Sequence, residues 1–266
     1  MAQSNTLSRL FGKFAKHAFI PPVQRLINAV YVRIFGIDLN GFAPLKSYPT
    51  LNALFTRELK TPRPIDSNLA SLISPCDGLV RACGAIEHNL ALQIKGMSYR
   101  VGELLGQNEN LENYSYFNFY LSPRDYHRFH APCDLQVTEV RHFCGELLPV
   151  NAPALKKHQK LFIRNERVVV VAQDHRGEIL YFVAVGALNV GQIVLNFDSS
   201  IRTNAKIKPN PQIYTYTPPI ALKKGAELGR FEMGSTIVLF VSNVALNTSV
   251  EQQVLFSAPI GLLKGL

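Results

Sequence analysis

Acidic side chains are absent from the first 37 positions of this sequence, and the first 60 hold only Asp38 and Glu58. Against them stand Arg9, Lys13, Lys16, Arg25, Arg33, Lys46, Arg57 and Lys60, so +6 of the chain's net +9 lies in less than a quarter of its length. A basic end of this kind suits anionic lipid or nucleic acid, and charge alone does not choose between them. Cysteine is scarce as well. Cys76, Cys83, Cys133 and Cys144 show no C-x-x-C spacing, which argues against a small disulfide-stapled scaffold and for a reduced compartment. A secretory leader is not expected, because Pro21-Pro22 interrupts the apolar stretch near Phe19 and no small-residue cleavage site follows. No useful internal repeat, low-complexity tract or long linker divides the chain.

Charge is also missing from 179–197, nineteen residues that match the length of a bilayer span. Gly186, Asn189, Gly191, Gln192 and Asn196 interrupt that run, which is otherwise rich in Val and Ile. Two buried strands joined through a glycine turn fit it better than a transmembrane helix.

The 266 residues are 47% hydrophobic, enough for a substantial core. Leu7, Leu10, Phe11, Phe14 and Ala18 recur at helical spacing, with Arg9, Lys13 and Lys16 largely on other faces. A basic helix with a Leu/Phe face is expected to lie in a membrane interface. Far in sequence from every candidate catalytic motif, it is also expected to be dispensable for them. After Pro21-Pro22, the residues Val23, Leu26, Ile27, Val30, Tyr31 and Ile34 predict a second amphipathic helix, as well suited to packing on the body as to lipid. A short helix is expected within 49–60, ended by Pro62 and Pro64, and another from Val101 to about 108. Strands are expected at 79–83, 91–94, 116–121, 137–143, 161–163, 168–172, 179–185, 193–197 and 237–241. The fold class is therefore α+β: N-terminal amphipathic helices (1–64) on a mostly antiparallel, β-rich body (65–266).

Three constellations carry chemistry. Ser74-Pro75-Cys76-Asp77-Gly78 sets a carboxylate in a tight turn, which is also ordinary turn chemistry. The segment 122–133 places His127 and His130 three apart among arginines and ends at Cys133. It reads as a surface turn, a pair of acid–base groups, or, less readily, a metal site using His127, His130 and Cys133. Gly234-Ser235-Thr236 precedes an apolar run. A hydroxyl there can attack the carbonyl before it, and a glycine tolerates the backbone strain that the attack requires. Asp77, a histidine and Ser235 together supply an orienting acid, a base and a nucleophile. A Ser-His-Asp hydrolase fits the same residues, although no G-x-S-x-G elbow is present. A basic membrane- or nucleic-acid-binding module without chemistry is the third reading.

Five motifs in order resemble the prokaryotic-type phosphatidylserine decarboxylase proenzymes: Phe55-Thr56-Arg57-Glu58-Leu59-Lys60 with Arg63-Pro64-Ile65-Asp66; Pro75-Cys76-Asp77-Gly78; Tyr126-His127-Arg128-Phe129-His130-Ala131-Pro132; Val185-Gly186-Ala187-Leu188-Asn189-Val190-Gly191; and 224–236, where Met233 stands in place of the more usual leucine. The resemblance implies a self-cleavage triad of Asp77, His130 and Ser235, in which His130 deprotonates the hydroxyl and Asp77 holds the imidazole. Cleavage between Gly234 and Ser235 would leave a large chain 1–234 and a small chain 235–266. Ser235 would become a covalent pyruvoyl group, which condenses with the amine of phosphatidylserine and accepts the electrons released with carbon dioxide. His127 is implied to assist that decarboxylation. No metal and no diffusible cofactor is required. The implied setting is the cytoplasmic face of the cell membrane, peripherally bound to anionic lipid, with no nucleic-acid partner; a homo-oligomer is compatible with it.

Overall fold

The computed structural model describes residues 3–94, 96–188, 192–205, 210–233 and 235–265. Helix α1 (Gln3–Lys16) ends on Lys13 and Lys16, whose charges suit the partial negative end of the helix. Helix α2 (Pro21–Phe35) starts on prolines whose missing N–H costs nothing there. It stops at Gly36, whose φ of 62° closes the last turn by an N–H bond to the Val32 carbonyl. Helix α3 (Leu51–Phe55) is capped by Thr50, which accepts the Ala53 N–H at 3.0 Å. It is shorter than expected, ending seven residues before Pro62.

The two long helices do not bury all of their apolar residues. In α1, Phe11 and Ala15 face the protein while Leu7, Leu10 and Phe14 stay exposed. Helix α2 runs against the usual amphipathic logic. It buries Gln24 and Asn28, where Gln24 Nε2 donates to Asn28 Oδ1 (2.8 Å) and Asn28 Nδ2 donates to the Tyr48 carbonyl (3.0 Å). Leu26 and Ile34, two of the residues that defined its apolar pattern, are 64% and 68% exposed, whereas Ile27 and Tyr31 pack inward. No helix among the described residues is long and apolar enough to cross a membrane.

The body is built on an eight-stranded antiparallel sheet with the order Gln212–Leu222, Leu135–Phe143, Arg167–Asp174, Ile179–Gly186, Ser235–Ser242, Tyr114–Leu121, Gly78–Ala85, Gln253–Val254. Successive residues of its central strands feed two different cores. Val168, Val170, Phe182, Ala184, Ile237 and Leu239 enter one, and Val169, Val171, Val183, Val185, Val238 and Phe240 enter the other. Burial on both faces is why 179–197 carries no charge, and why it imitates a bilayer span. The second half of that run, Gln192–Leu195, joins a separate three-stranded sheet with Glu227–Glu232 and Arg128–His130. Residues 189–191, which hold part of the glycine-rich motif, lie outside the described residues.

The mixed fold is as expected, but several short elements were not anticipated, among them the strands Ser71–Ile73, Arg128–His130, Glu227–Glu232 and Pro259–Leu263, and two further differences have a clear cause. Residues 161–163 form a helical turn (Leu161–Arg164) rather than a strand. A three-residue apolar run carries no period, so sequence alone does not distinguish the two. The strand Gln212–Leu222 was not anticipated, since Pro218-Pro219 disfavour a central strand. It is an edge strand, where a proline costs no ladder bond.

Gly229, in the middle of the small sheet, is a close-approach position. A Cβ there would meet the Val194 carbonyl oxygen at 2.1 Å and the Phe129 ring at 2.9 Å. Gly229→Ala is therefore expected to destabilise the protein by about 1–3 kcal/mol or more, read as a lower thermal midpoint. An unchanged midpoint would mean that the two strands separate at no cost.

Candidate active site

The site lies where the small sheet meets one end of the large one. Asp77 closes the 74–78 turn, in which Ser74 Oγ donates to the Cys76 carbonyl at 2.8 Å. Its buried carboxylate accepts the Phe256 N–H on Oδ1 (2.7 Å). It also accepts a two-pronged bond from Arg63, Nη2 to Oδ2 at 3.0 Å and a short contact from Nη1 to Oδ1. Paired guanidinium bonds of this kind fix a carboxylate in direction. Arg63 belongs to a quoted motif, but nothing in its spacing marked it as the partner of Asp77.

Arg57 shapes the histidine segment from outside. Its Nη2 donates to the carbonyls of Arg124 (2.6 Å) and Asp125 (3.1 Å), while Asp125 Oδ2 accepts both the N–H and the hydroxyl of Ser122 at 2.7 Å. The turn so fixed delivers His127 and His130 to different surroundings.

The imidazole of His130 bonds on both sides: Nδ1 lies 2.9 Å from the Gly225 carbonyl and Nε2 lies 3.1 Å from the Tyr126 hydroxyl. A carbonyl only accepts, so Nδ1 carries the proton and neutral Nε2 accepts from the Tyr126 O–H. The ring stacks on Phe256 at 3.7 Å, the residue whose N–H binds Asp77. No hydrogen bond joins His130 to Asp77; their coupling is through space. Burial draws the His130 pKa down to about 4, with the Gly225 carbonyl and Glu227 opposing it and the Arg128 charge adding to the fall.

His127 is fully buried, tilted against the Phe55 ring at 3.9 Å. Its Nδ1 donates to the Asp125 carbonyl at 2.8 Å, and Nε2 has no hydrogen-bond partner among the described residues. Burial first and the Arg57 charge second bring its pKa down to about 3, against the opposing carbonyls of Asp125 and Leu121. Both histidines are thus neutral bases at pH 7. Their pKa values lie below the unfolded value of about 6.5, so the unfolded chain binds more protons. The stability they contribute is present above pH 6.5 and is lost as the pH falls towards 4.

Ser235 opens the strand Ser235–Ser242, opposite Leu121 on one side and Gly186 on the other. Glu232 ends its strand in the small sheet, so two residues carry the chain from one sheet to the next. The first, Met233, has φ of +80°, a conformation rare outside glycine and a sign of backbone strain. The second, Gly234, lies outside the described residues. The Phe231 N–H bonds to the His127 carbonyl, while Glu227 lies opposite His130. Along the ladder His127 is therefore nearer in register to the chain crossing that leads to Ser235 than His130 is. A cleft of about 350 Å³ opens at His130, lined by Arg63, Tyr126, Arg128, Glu227 and Phe256 among others.

The metal reading of His127, His130 and Cys133 finds no support. Cys133 is buried among apolar residues, its thiol pushed up to about 12 by burial, and three of the four imidazole nitrogens are engaged by carbonyls and a hydroxyl or are oriented to different elements. Among the described residues a different trio, His142, Cys144 and Glu166, brings donor atoms within 4.8 Å of one another. There, Glu166 pairs with His142 (3.0 Å) and accepts the Asn204 N–H (2.7 Å).

Comparisons with known proteins identify the family. The profile of the phosphatidylserine decarboxylase family matches residues 51–262. A phosphatidylserine decarboxylase proenzyme of Helicobacter pylori (strain ATCC 700392 / 26695) is 54% identical over 262 residues, covering 98% of each chain. One from Campylobacter jejuni subsp. jejuni is 42% identical, covering 98% of this chain and 99% of the relative. One from Nitrosococcus oceani is 35% identical, covering 97% and 87%. With its carboxylate turn, two buried neutral histidines and strained serine junction set within such a match, the chain belongs to the phosphatidylserine decarboxylase family.

Proposed function

We propose that this protein cuts its own backbone between Gly234 and Ser235 and then decarboxylates phosphatidylserine to phosphatidylethanolamine. The observation that supports this most directly is the junction at 233–235. A strained residue precedes the scissile bond, the chain is held on both sides by ladders in two sheets, and neutral bases lie at the same edge. Holding a nucleophile against a distorted amide raises its effective concentration, the main barrier-lowering device open to a self-cleaving chain. The products would be chains 1–234 and 235–266.

In that cut the Ser235 hydroxyl would take the Gly234 acyl group as an ester, and β-elimination would free the Gly234 carboxylate. Hydrolysis of the resulting dehydroalanine with loss of ammonia would leave a pyruvoyl group at position 235, which would supply an electron sink for the substrate carboxylate's bonding pair. The chain's own residues do the rest. Arg63 fixes the direction of Asp77, and Asp77 acts on His130 through its charge and through Phe256. Tyr126 holds His130 in one tautomer. In this reading His130 is the base for Ser235, and His127, buried and unprotonated on Nε2, serves the proton steps on the substrate. One observation favours exchanging the two roles. His127 is the nearer in register to Ser235 and its Nε2 has no hydrogen-bond partner among the described residues, whereas that of His130 is occupied by Tyr126.

The substrate is a lipid, and α1 with α2 present the surface that meets it. Leu7, Leu10 and Phe14 on α1, and Val23, Leu26, Val30 and Ile34 on α2, are exposed on a stretch rich in lysine and arginine. We assign them to peripheral docking on the anionic cytoplasmic face of the cell membrane. Removing α1 altogether is a poor test. Asn5 bonds to Gly145 (2.9 Å) and Leu147 (3.0 Å), and Lys16 reaches the small sheet, so α1 is tied to the body that it was expected to be independent of. The triple change of Leu7, Leu10 and Phe14 to Ser is the cleaner one. Each loses on the order of 1 kcal/mol or more of apolar burial in the bilayer, so vesicle sedimentation should show binding at least tenfold weaker, with processing retained. Binding equal to the parent's would remove α1 from the membrane surface.

A further inference from the structure

The last residue of α1 touches the segment that is to be cut. Lys16 Nζ lies 2.6 Å from Glu232 Oε2 and 3.3 Å from Gln192 Oε1, and Gln192 and Glu232 face each other across the small sheet. Glu232 is the final rung before the two-residue crossing to Ser235, and its side chain is only 7% exposed. Arg230 stands 3.8 Å from it. One ammonium group therefore pins both strands of the rung from which the crossing departs.

We propose that Lys16 is a positioning residue for self-cleavage: by clamping Glu232 and Gln192 it fixes the upstream end of the 233–234 crossing. The downstream end is fixed by the ladders of Ser235 with Leu121 and Gly186. With both ends held, the distortion is confined to the residues between them, of which Met233 carries a positive φ. Freeing either end lets the crossing relax, and a small misplacement of an attacking group is costly in rate. Because Lys16 closes the same helix that exposes Leu7, Leu10 and Phe14, the lipid-facing element and the processing segment meet through this contact. Nothing in the spacing of residues 16 and 232 signals it.

The inference rests on the self-processing reading, and the experiment separates the two. The full chain is made by cell-free synthesis, and the appearance of 1–234 and 235–266 is followed by gel and intact mass. Lys16→Met keeps the apolar stem and loses the charge, and is expected to mature about tenfold more slowly while its thermal midpoint stays within a degree or two of the parent's. Lys16→Arg is expected to mature near the parent's rate, and the exchange of Lys16→Glu with Glu232→Lys to recover part of the loss seen in Lys16→Glu alone. Lys16→Met maturing at the parent's rate, or Lys16→Arg as slow as Lys16→Met, overturns the inference. A parent chain that never splits overturns the self-processing reading instead.

Discussion

Ser235→Ala is expected to stay a single 266-residue chain and to form no phosphatidylethanolamine. The hydroxyl has two uses in the proposed chemistry: it is the nucleophile at the Gly234 carbonyl and, once acylated, the leaving group whose β-elimination takes its oxygen away with Gly234 and opens position 235 to the hydrolysis that makes the pyruvoyl ketone. Removing it abolishes both, so the loss is complete rather than partial. Denaturing gel and intact mass read the first use, and release of carbon dioxide from phosphatidylserine reads the second. The alanine protein should still fold, since position 235 keeps its backbone bonds in the sheet. An alanine chain that splits into 1–234 and 235–266, or that stays whole and decarboxylates, contradicts the proposal.

His127 and His130 should separate under the same pair of assays. His130→Ala is expected to leave an uncut chain. His127→Ala is expected to mature, at least in part, and then to decarboxylate 100- to 10,000-fold more slowly, the range over which a positioned acid–base group acts. Both imidazoles are buried and bonded as neutral rings, so the base is unprotonated well below pH 6.5. The acid limb of the maturation rate should accordingly fall near pH 4 instead of near the ordinary histidine value. The reverse pattern, with His127→Ala uncut and His130→Ala mature, assigns the base to the free Nε2 lone pair of His127. Normal maturation and turnover in both would reduce the pair to structural residues.

The sequence carried some of this plainly and hid the rest for physical reasons. Strands of the central sheet were legible because continuous apolar runs bounded by glycine and polar residues have few other uses, and the charge-free 179–197 was recognised as strand. Helix α2 was legible as a helix but not in its orientation. Its periodicity is that of a buried stripe, yet Gln24 and Asn28 face inward because they satisfy each other and the Tyr48 carbonyl. Asp77, the histidines and Ser235 were found through ordered motifs. Arg63 and Tyr126 stand in the same motifs and Phe256 in none, but their contacts with Asp77 and His130 were not legible, because Arg63 and Phe256 meet Asp77 from segments 14 and 179 residues away and a spacing of four does not show the bond from Tyr126 to His130. A spacing of three residues could not say that one imidazole is bonded at both nitrogens and the other at one.

The strand Ser235–Ser242 is an interior member of the large sheet, bonded along its length to Tyr114–Leu121 and Ile179–Gly186. Two further strands of the proposed small chain, Val244–Leu246 and Pro259–Leu263, pair with each other, and the second also pairs with Ser71–Ile73. A cut before Ser235 therefore releases nothing. It does change what unfolding means. The uncut chain can lose and regain its structure as one molecule, whereas the cut one, once opened, must find its fragment again by diffusion from dilute solution. The covalent tether had supplied a local concentration that no ordinary protein concentration replaces. Maturation thereby converts reversible folding into a durable state guarded by its unfolding barrier, with no way back once that barrier is crossed.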